Sequence, residues 1–563
     1  MGVSVRRSDR LAWALPFVAS ASCMLLSDVA LCQATTSSPG RLPLDAGPEP
    51  KPALRDVPIV IDKERFAEQV PAGADAIRLR LSRIELVGNQ TLPTSQFEPL
   101  WNDLVGRDIA LSDIFALAAR ISAAYRAAGY VLSQALVPQQ QLSQTDGVVR
   151  IRIVEGYVSR VIVADDVAGR DRIVTMLAPV QSERPLTLAT LERSLLLLND
   201  LPGTRAQALL RAAQEPNAAD LELVVERDRQ AYSASITNRT TDAVGPLRLE
   251  LSGEWRGVVG NFDRHVLRWI GSGNERLNLI AYSGDAPIGS NGLFANWSAS
   301  ASRSKPKQGE LFQFDTKSES LSFGLSYPVL RSRAINLNLR GALAAYDGSS
   351  DIVDGLTVSK EKIRALRLGA TFDATDSASG VNLLDIEWSK GLSGLGASRQ
   401  GDPELARFGS NPQFSKLTLY AARLQSLGGE WSLLAAITGQ YTSDMLTSSE
   451  EFGLGGDTFL RAYDPSELLG DKGLAGKLEL RYNLAFSALS TTLYAYYEGG
   501  SVRSLQFDGS TSKQSAISTG LGVRASGPYG LKGYLEVAKP VNKPTAKNGN
   551  ERARVFAGLA IDF

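Results

Sequence analysis

Residues 477–484, KLELRYNL, alternate between polar and apolar side chains at every position. Alternation with a period of two is the pattern of a β-strand whose two faces meet different surroundings. The last nine residues, 555–563, read VFAGLAIDF and place the aromatic Phe563 on the apolar face of a similar strand. The same pattern recurs, with turns between the strands, from about residue 230 to the end of the chain. This part of the protein is therefore predicted to be all β.

Alternating strands fit either a soluble antiparallel sheet with one wet face or a transmembrane barrel with an apolar outside and a polar inside. The candidate strands run nine to twelve residues, and the final residue belongs to one of them, which favours the barrel. Residues 230–563 number about 330, and a spanning strand with its turn needs ~20, so about sixteen antiparallel strands are expected. A barrel of that width encloses an aqueous lumen.

The first 34 residues have the pattern of an export signal, with three arginines near the start followed by an apolar stretch. A single membrane anchor is the alternative. Both cysteines, Cys23 and Cys32, lie in this segment, so the mature chain is predicted to contain none. Residues 35–78 are a proline-rich linker, in which only residues 61–70 leave room for a short helix that could plug the barrel.

Two α+β units separate the linker from the barrel. Residues 79–156 follow the order strand, helix, helix, strand, strand, and the second helix is predicted to begin at a Ser112 cap. Residues 157–229 repeat the arrangement in degenerate form, with a capped helix at 186–203 and a closing strand at 221–228. Each unit is large enough for a small domain of its own.

The chemistry of the sequence speaks against an enzyme. Lys plus Arg and Asp plus Glu number 60 each, so the balance of charge indicates no nucleic-acid partner. His265 is the only histidine, which leaves little basis for a catalytic triad or a histidine metal site. Residues 470–478 lack the spacing and the Ser or Thr of a phosphate-binding loop. No catalytic residue, metal or cofactor is predicted.

Several separate stretches resemble the TpsB transporters of two-partner secretion, the family of FhaC, ShlB and HecB, which is related to the barrel-assembly protein BamA. They are GNQTL (88–92), LERSLLLLNDLPG (191–203), SYPVLRSRAINL (326–337) and GQYTSDMLTSSEEFGLGG (439–456). The resemblance implies two periplasmic POTRA domains, at 79–156 and 157–229, and a barrel in the bacterial outer membrane. It implies a pore that carries an unfolded TpsA-like exoprotein to the cell surface. Outer-membrane lipid, lipopolysaccharide and the barrel-assembly machinery are the other expected partners.

In that family a loop between the eleventh and twelfth strands carries a Val-Arg-Gly-Tyr/Phe element into the lumen. The matching residues here are Leu460, Arg461, Ala462 and Tyr463, flanked by Gly455, Gly456, Gly470, Asp471 and Gly473. The resemblance implies that Arg461 pairs with an acid on the inner wall, at the position of Glu498. The alternation of residues 493–498 also turns Glu498 toward the lumen, and a carboxylate would offset the desolvation of the arginine. The alternative is that both residues are solvated charges at the barrel rim.

Two further functions stay open at the level of sequence. An insertase or assembly factor of the BamA/TamA kind would share the POTRA-like units, the barrel and the loop, but the presence of only two such units argues against it. A passive porin or siderophore-type channel would have no use for residues 79–228. The cargo of an exporter could be an adhesin, a cytolysin or an exported enzyme.

Overall fold

The computed structural model describes residues 59–61, 70–215, 217–241, 243–272, 276–308, 312–352, 356–486, 489–547 and 549–563. The predicted signal at 1–34 and most of the predicted plug helix, residues 62–69, lie outside the described residues. Among the helices within the described ranges, none has the length and apolar character required to cross a membrane.

The first α+β unit is a small sheet covered by one long helix. Its strands run in the order β3-β2-β5-β4, and their bounds are β2 Arg78–Val87, β3 Asp108–Ala110, β4 Gln134–Leu136 and β5 Gly147–Val154. The helix α1 (Leu111–Ala127) begins where the Asp113 carboxylate accepts a hydrogen bond from the Ala110 N–H at 2.8 Å. The predicted Ser112 cap is therefore wrong. Two 3₁₀ turns, Thr94–Gln96 and Glu98–Leu100, stand in place of the first predicted helix.

The second unit has the sheet order β1-β7-β8-β6. Its elements are β1 Ile59–Ile61, β6 Tyr157–Val163, α2 Arg170–Met176, α3 Ala178–Ser182, α4 Leu188–Asn199, β7 Thr204–Ala212 and β8 Ala218–Arg227. The Thr187 side chain caps α4 by accepting a hydrogen bond from the Thr190 N–H. Strand β1 comes from the predicted linker and pairs in parallel with β7, so this part of the linker is regular structure.

Within the described part of residues 230–563, sixteen strands close into one antiparallel barrel, which confirms the predicted fold class. The barrel strands are β9 Gln230–Thr237, β10 Arg248–Arg256, β11 Arg264–Ser272, β12 Leu277–Ile288, β13 Leu293–Ser304, β16 Asp315–Arg331, β17 Ile335–Ile352, β18 Leu356–Thr375, β19 Gly380–Gly391, β20 Ser415–Gly428, β21 Trp431–Thr442, β24 Lys472–Phe486, β25 Leu489–Leu505, β26 Thr511–Ser526, β27 Leu531–Pro540 and β28 Arg554–Asp562. Two short hairpins, β14 Lys307–Gln308 with β15 Phe312–Gln313 and β22 Phe452–Leu454 with β23 Leu468–Gly470, lie in the connections.

The two faces of the barrel wall differ in polarity as an aqueous lumen in an apolar surrounding requires. Large apolar side chains such as Leu321, Leu343 and Leu474 are exposed on the outside. The inward positions hold buried polar side chains, among them Ser350 and Ser518. A soluble sheet would bury its apolar face, so this distribution selects the transmembrane barrel over the soluble alternative.

The barrel closes along a short seam between its last and first strands. Only five residues of β28, Gly558–Asp562, pair with β9, compared with sixteen paired positions between β25 and β26. The side chain of Asn238 extends the ladder, because it donates to the Val555 carbonyl at 3.1 Å and accepts from the Ala557 N–H at 2.8 Å. Phe563 exchanges two backbone hydrogen bonds with Tyr232 at the other end of the seam.

The second α+β unit is docked on the turns at one end of the barrel. Phe262, in the turn between β10 and β11, is 2% exposed and packs within the hydrophobic core of that unit. Arg331 forms a fork-like ion pair with Asp200 at 2.6 and 2.7 Å, and Arg172 donates to the Gly289 carbonyl at 2.9 Å. These contacts identify the end of the barrel that faces the α+β units.

Candidate functional site

The connection between β21 and β24, residues 443–471, folds back into the barrel and is named the lumenal loop below. Its central residues, Leu460 to Tyr463, are at most 2% exposed. All of them except Arg461 belong to a hydrophobic cluster that includes side chains of several barrel strands. Such burial requires that the polar groups of the loop find partners inside the lumen.

Glycines shape the entry to this segment. Gly455 and Gly456 have φ values of 119° and 106°, and a Cβ atom at Gly455 would lie 2.1 Å from the Asp464 carbonyl oxygen. Leu460 has a φ of 57°, so the left-handed residue of the motif is the leucine before the arginine. Ala462 is not among the residues with positive φ. The alanine that replaces the usual glycine therefore carries no backbone penalty.

Arg461 and Glu498, which the sequence analysis paired, are in direct contact. The Arg461 Nε donates to Glu498 Oε1 at 2.7 Å, and the Arg461 backbone N–H donates to Oε2 at 2.8 Å. Ser518 donates its hydroxyl to the same Oε2 at 3.0 Å. Glu498 is fully buried, so these contacts satisfy a carboxylate without access to water.

Glu479 of β24 contacts the same arginine from a neighbouring strand. Its Oε2 lies 2.7 Å from Arg461 Nη1. Its other oxygen, Oε1, accepts from Arg481 Nε at 2.8 Å and from Arg524 Nη1 at 3.0 Å. The single positive charge of Arg461 cannot neutralise both Glu498 and Glu479. Arg481 and Arg524, which lie on barrel strands, supply the further positive charge at Glu479.

Glu536 of β27 connects the loop to a third strand. Its Oε2 lies 3.4 Å from Arg461 Nη1 and accepts from the Tyr494 hydroxyl at 2.9 Å, while Oε1 accepts from Tyr496 at 3.1 Å and from Arg239 at 2.6 Å. The Arg461 guanidinium also lies 3.5 Å from the centroid of the Tyr496 ring, within the range of a cation–π contact.

Two glycines of β26 allow both tyrosines to reach Glu536. A Cβ at Gly522 would lie 2.4 Å from the Tyr494 hydroxyl, and a Cβ at Gly520 would lie 2.5 Å from the Tyr496 hydroxyl. The rings of Tyr494 and Tyr496 therefore lie across β26 and place their hydroxyls on the next strand. Neither contact could form if β26 carried side chains at these inward positions.

Arginines on either side of the seam hold the backbone of the loop. Arg239, just after β9, donates through Nη1 to the carbonyls of Gly456 at 2.9 Å and Arg461 at 3.0 Å. Arg554, the first residue of β28, donates to the Ala462 carbonyl at 2.9 Å and pairs with the Asp464 carboxylate. The lumenal loop thus bridges the first and last strands of the barrel from the inside.

The other flanking residues of the motif lie at the base of the loop. Asp471 is fully buried and accepts from Arg407 Nη1 at 2.8 Å and from the backbone N–H groups of Leu446 and Leu505 at 2.6 Å each. Gly470 and Gly473 allow close packing, because a Cβ at Gly470 would lie 2.8 Å from the Arg503 carbonyl oxygen. Tyr463 donates its hydroxyl to the Lys543 carbonyl at 2.8 Å.

Charges in the loop have strongly shifted pKa values. Burial opposes the charged form of Arg461, but the carboxylates of Glu498, Glu479 and Glu536 outweigh it and raise the pKa of the guanidinium. Burial likewise opposes the carboxylate of Glu450, yet Arg367 and Lys416 lower its pKa to about 2. Both groups are therefore ionised at neutral pH.

The structure brings Arg461 together with Glu498 and places Asp471 and its neighbouring glycines at the loop base. Phe563 lies apart, at the end of the seam near the α+β units, and its side chain is exposed. Sequence reasoning missed Glu479, Glu536, Arg239 and Arg554. Glu479 stood on the polar face of the KLELRYNL strand, but alternation alone does not say which polar residue of a strand lies level with the loop.

Within the described residues, no group of three or more His, Cys, Asp or Glu side chains is placed to hold a metal ion.

Comparisons with known proteins agree on one family. Residues 220–525, more than half of the chain, match the family described as haemolysin secretion/activation protein ShlB/FhaC/HecB, and residues 79–156 match the ShlB-type POTRA domain. The heme/hemopexin transporter protein HuxB of Haemophilus influenzae strain 86-028NP is 24% identical over 487 residues, which cover 83% of this chain and 84% of that protein. The outer membrane transporter CdiB-2 of Burkholderia pseudomallei is 25% identical and covers 94% of this chain and 90% of that protein.

Solved structures share the fold. CdiB from Escherichia coli superposes with a TM-score of 0.68 at 19% identity, covering 88% of this chain and 93% of that one. BamA from Haemophilus ducreyi, in a form lacking POTRA domains 1–3, is more distant, with a TM-score of 0.53 at 11% identity, covering 86% of this chain and 100% of that one. The chain therefore belongs to the ShlB/FhaC/HecB family of two-partner secretion transporters of the bacterial outer membrane.

Proposed function

We propose that this protein receives an unfolded partner exoprotein in the periplasm and passes it through the barrel lumen to the cell surface, with the lumenal loop as the gate. The observation that carries the proposal is the ion-pair network of Arg461 with Glu479, Glu498 and Glu536. This network holds a buried loop inside a lumen that an exported chain must pass. The gate must therefore release or shift when cargo moves.

Ion pairs are suited to a reversible gate. A buried ion pair gains little net free energy over the hydrated charges, because the desolvation of both partners opposes their attraction. Arg461 and its carboxylates can thus specify one position of the loop, yet water or a passing chain can replace the contacts at moderate cost. Removing one partner without replacing it is much more costly, since it leaves a buried charge uncompensated.

Cargo capture is assigned to the two α+β units, which we take to be periplasmic POTRA domains at 79–156 and 157–229. An extended chain can add to the edge of a sheet, where main-chain hydrogen bonds supply affinity and side-chain pockets supply choice. In the second unit β1 covers the edge of β7, so the seven residues of β6 form the other edge of the sheet. The edge strands β3 and β4 of the first unit have three residues each.

No catalytic step, nucleotide or metal enters this proposal. Folding of the partner outside the cell would bias its movement outward. Outer-membrane lipid, lipopolysaccharide and, during biogenesis, the barrel-assembly machinery complete the set of proposed partners. The nature of the exoprotein is left to experiment, because neither the POTRA-like edges nor the lumen distinguishes an adhesin from a cytolysin or an exported enzyme.

The test is release of a candidate exoprotein, encoded beside this protein, from cells that carry or lack the intact chain. Assembly of resident outer-membrane porins is followed in the same cells. Release that depends on the intact chain, with normal porin assembly, supports the exporter. Defective porin assembly in cells lacking the chain, with no released cargo in either strain, would instead favour the insertase.

A further inference from the structure

Three cations lie side by side on the outer wall of the barrel at the end away from the α+β units. Lys472 of β24 is directly opposite Arg503 of β25, and Arg503 is directly opposite Lys513 of β26. Each shares the outward face of its strand with exposed apolar residues, such as Leu474 on β24 and Leu521 on β26. The row therefore points away from the lumen, toward the membrane.

The height of the row matches the headgroup layer. Tyr482 packs against Trp431 near the opposite end of the wall, with ring centroids 4.6 Å apart, and marks the lower edge of the apolar band. Lys472 is ten residues from Tyr482 along β24. At ~3.3 Å per residue and a strand tilt of ~40°, ten residues rise about 25 Å, which is the height of the apolar band of such barrels. Tyr441, 66% exposed, lies beside Lys472 at 5.6 Å.

At three other places on the outer rim, a cation is matched by an acid on the barrel itself. Arg303 pairs with Asp315, Lys317 lies 3.9 Å from Asp351, and Lys362 lies 3.6 Å from Asp347, and the last two pairs each join neighbouring strands. At these three places the positive charge is neutralised by an acid on the barrel. The row on β24 to β26 differs from these three places.

Among the described residues, no ion pair joins Lys472, Arg503 or Lys513 to a carboxylate, and the neighbouring Asp471 is paired with Arg407. Like charges placed directly opposite each other on neighbouring strands destabilise a sheet. The repulsion within this row at headgroup height is therefore relieved only when an anion from outside the protein binds across it.

We propose that this row binds the phosphate groups of lipopolysaccharide in the outer leaflet. The family places the barrel in the outer membrane with its α+β units in the periplasm, so the row faces the leaflet in which phosphorylated lipopolysaccharide is the main lipid. The planar guanidinium of Arg503 can donate a pair of hydrogen bonds to one phosphate, while the flanking ammonium groups add charge from either side. The inference rests on the membrane location alone and is independent of the export proposal.

The test uses the full chain in phosphatidylcholine nanodiscs that contain either bisphosphorylated lipid A or phosphatidylglycerol at equal charge. Bound lipid is measured by native mass spectrometry for the intact protein and for the combined variant Lys472→Gln, Arg503→Gln, Lys513→Gln. A matched control, Arg303→Gln, Lys317→Gln, Lys362→Gln, removes the same number of rim cations. Heat-modifiable gel mobility verifies that every barrel is folded.

A loss of about fivefold for each cation predicts lipid A binding about a hundredfold weaker in the first variant. The control should lose far less. Unchanged binding in the first variant, or an equal loss in both variants, would overturn the site. Equal binding of phosphatidylglycerol and lipid A by the intact protein would overturn the assignment to lipopolysaccharide and indicate a general affinity for anionic lipid.

Discussion

Removing the guanidinium of Arg461 is expected to free the lumenal loop without unfolding the barrel. The substitution Arg461→Ala removes the charged Nε contact to Glu498, leaving only the backbone N–H of residue 461 as a donor there, and it removes one cation from Glu479 and Glu536. Breaking a buried ion pair in this way costs about 3–5 kcal/mol. Because 1.36 kcal/mol corresponds to a factor of ten, the population of loops released from the wall should rise by about a hundredfold to several thousandfold.

The rate of cysteine modification measures that population. The sequence has only two cysteines, Cys23 and Cys32, both within the predicted signal, so a mature chain carrying Ser466→Cys should have a single thiol. Ser466 is 7% exposed in the docked loop. A membrane-impermeant maleimide should therefore react slowly with the thiol in the otherwise unchanged protein and about a hundredfold faster or more when Arg461→Ala is added.

Arg481→Ala is the matched control, because Arg481 donates to Glu479 from within β24. It removes a lumenal arginine from the same cluster and leaves the bidentate contact between Arg461 and Glu498 in place. Its effect on the labelling rate should be small. A labelling rate that Arg461→Ala leaves unchanged, or that both variants raise equally, would refute the assignment of Arg461 as the anchor of the loop.

Three further changes test other contacts. Gly522→Ala places a Cβ 2.4 Å from the Tyr494 hydroxyl, so we expect it to displace that hydroxyl from Glu536 and to accelerate labelling of Ser466→Cys by less than Arg461→Ala does. Phe262→Ala should cost about 3–5 kcal/mol of docking and increase proteolysis between the second unit and the barrel, and an unchanged digestion pattern would contradict the anchor. Glu450 has a pKa of about 2 instead of 4.5, so its stabilisation is complete above pH 4.5 and is lost as the pH falls toward 2. The melting temperature should fall in that window, and Glu450→Gln should lessen the fall.

The barrel was predictable because its signal is repeated. Period-two alternation extends through most of residues 230–563, and errors at single strands do not change a count of about sixteen. The contact between Arg461 and Glu498 was expected from a family resemblance together with the parity of residues 493–498. Alternation along a strand predicts which face of the sheet a side chain takes. For Glu498 that face, together with the resemblance, was enough to predict the contact.

The rest of the site depends on the register between neighbouring strands, which alternation along a single strand does not predict. Glu479 and Glu536 face the lumen as many other residues do, and their position level with the loop depends on the lengths of the intervening turns. Arg239 lies more than two hundred residues before the loop and reaches it only because the barrel closes. Similarly, the three residues of β1 carry too little pattern for a strand to be predicted, since their pairing with β7 is a tertiary contact.

The most direct test of the account is partner export by cells that carry either the intact protein or Arg461→Ala, measured at equal outer-membrane levels and equal heat-modifiable mobility. The account predicts that the variant inserts and folds normally but releases less exoprotein, because a loop freed from Glu498 no longer returns to the one position from which cargo displaces the gate. Export equal to that of the intact protein, with the same folded barrel in the membrane, would contradict the role of the lumenal network in secretion.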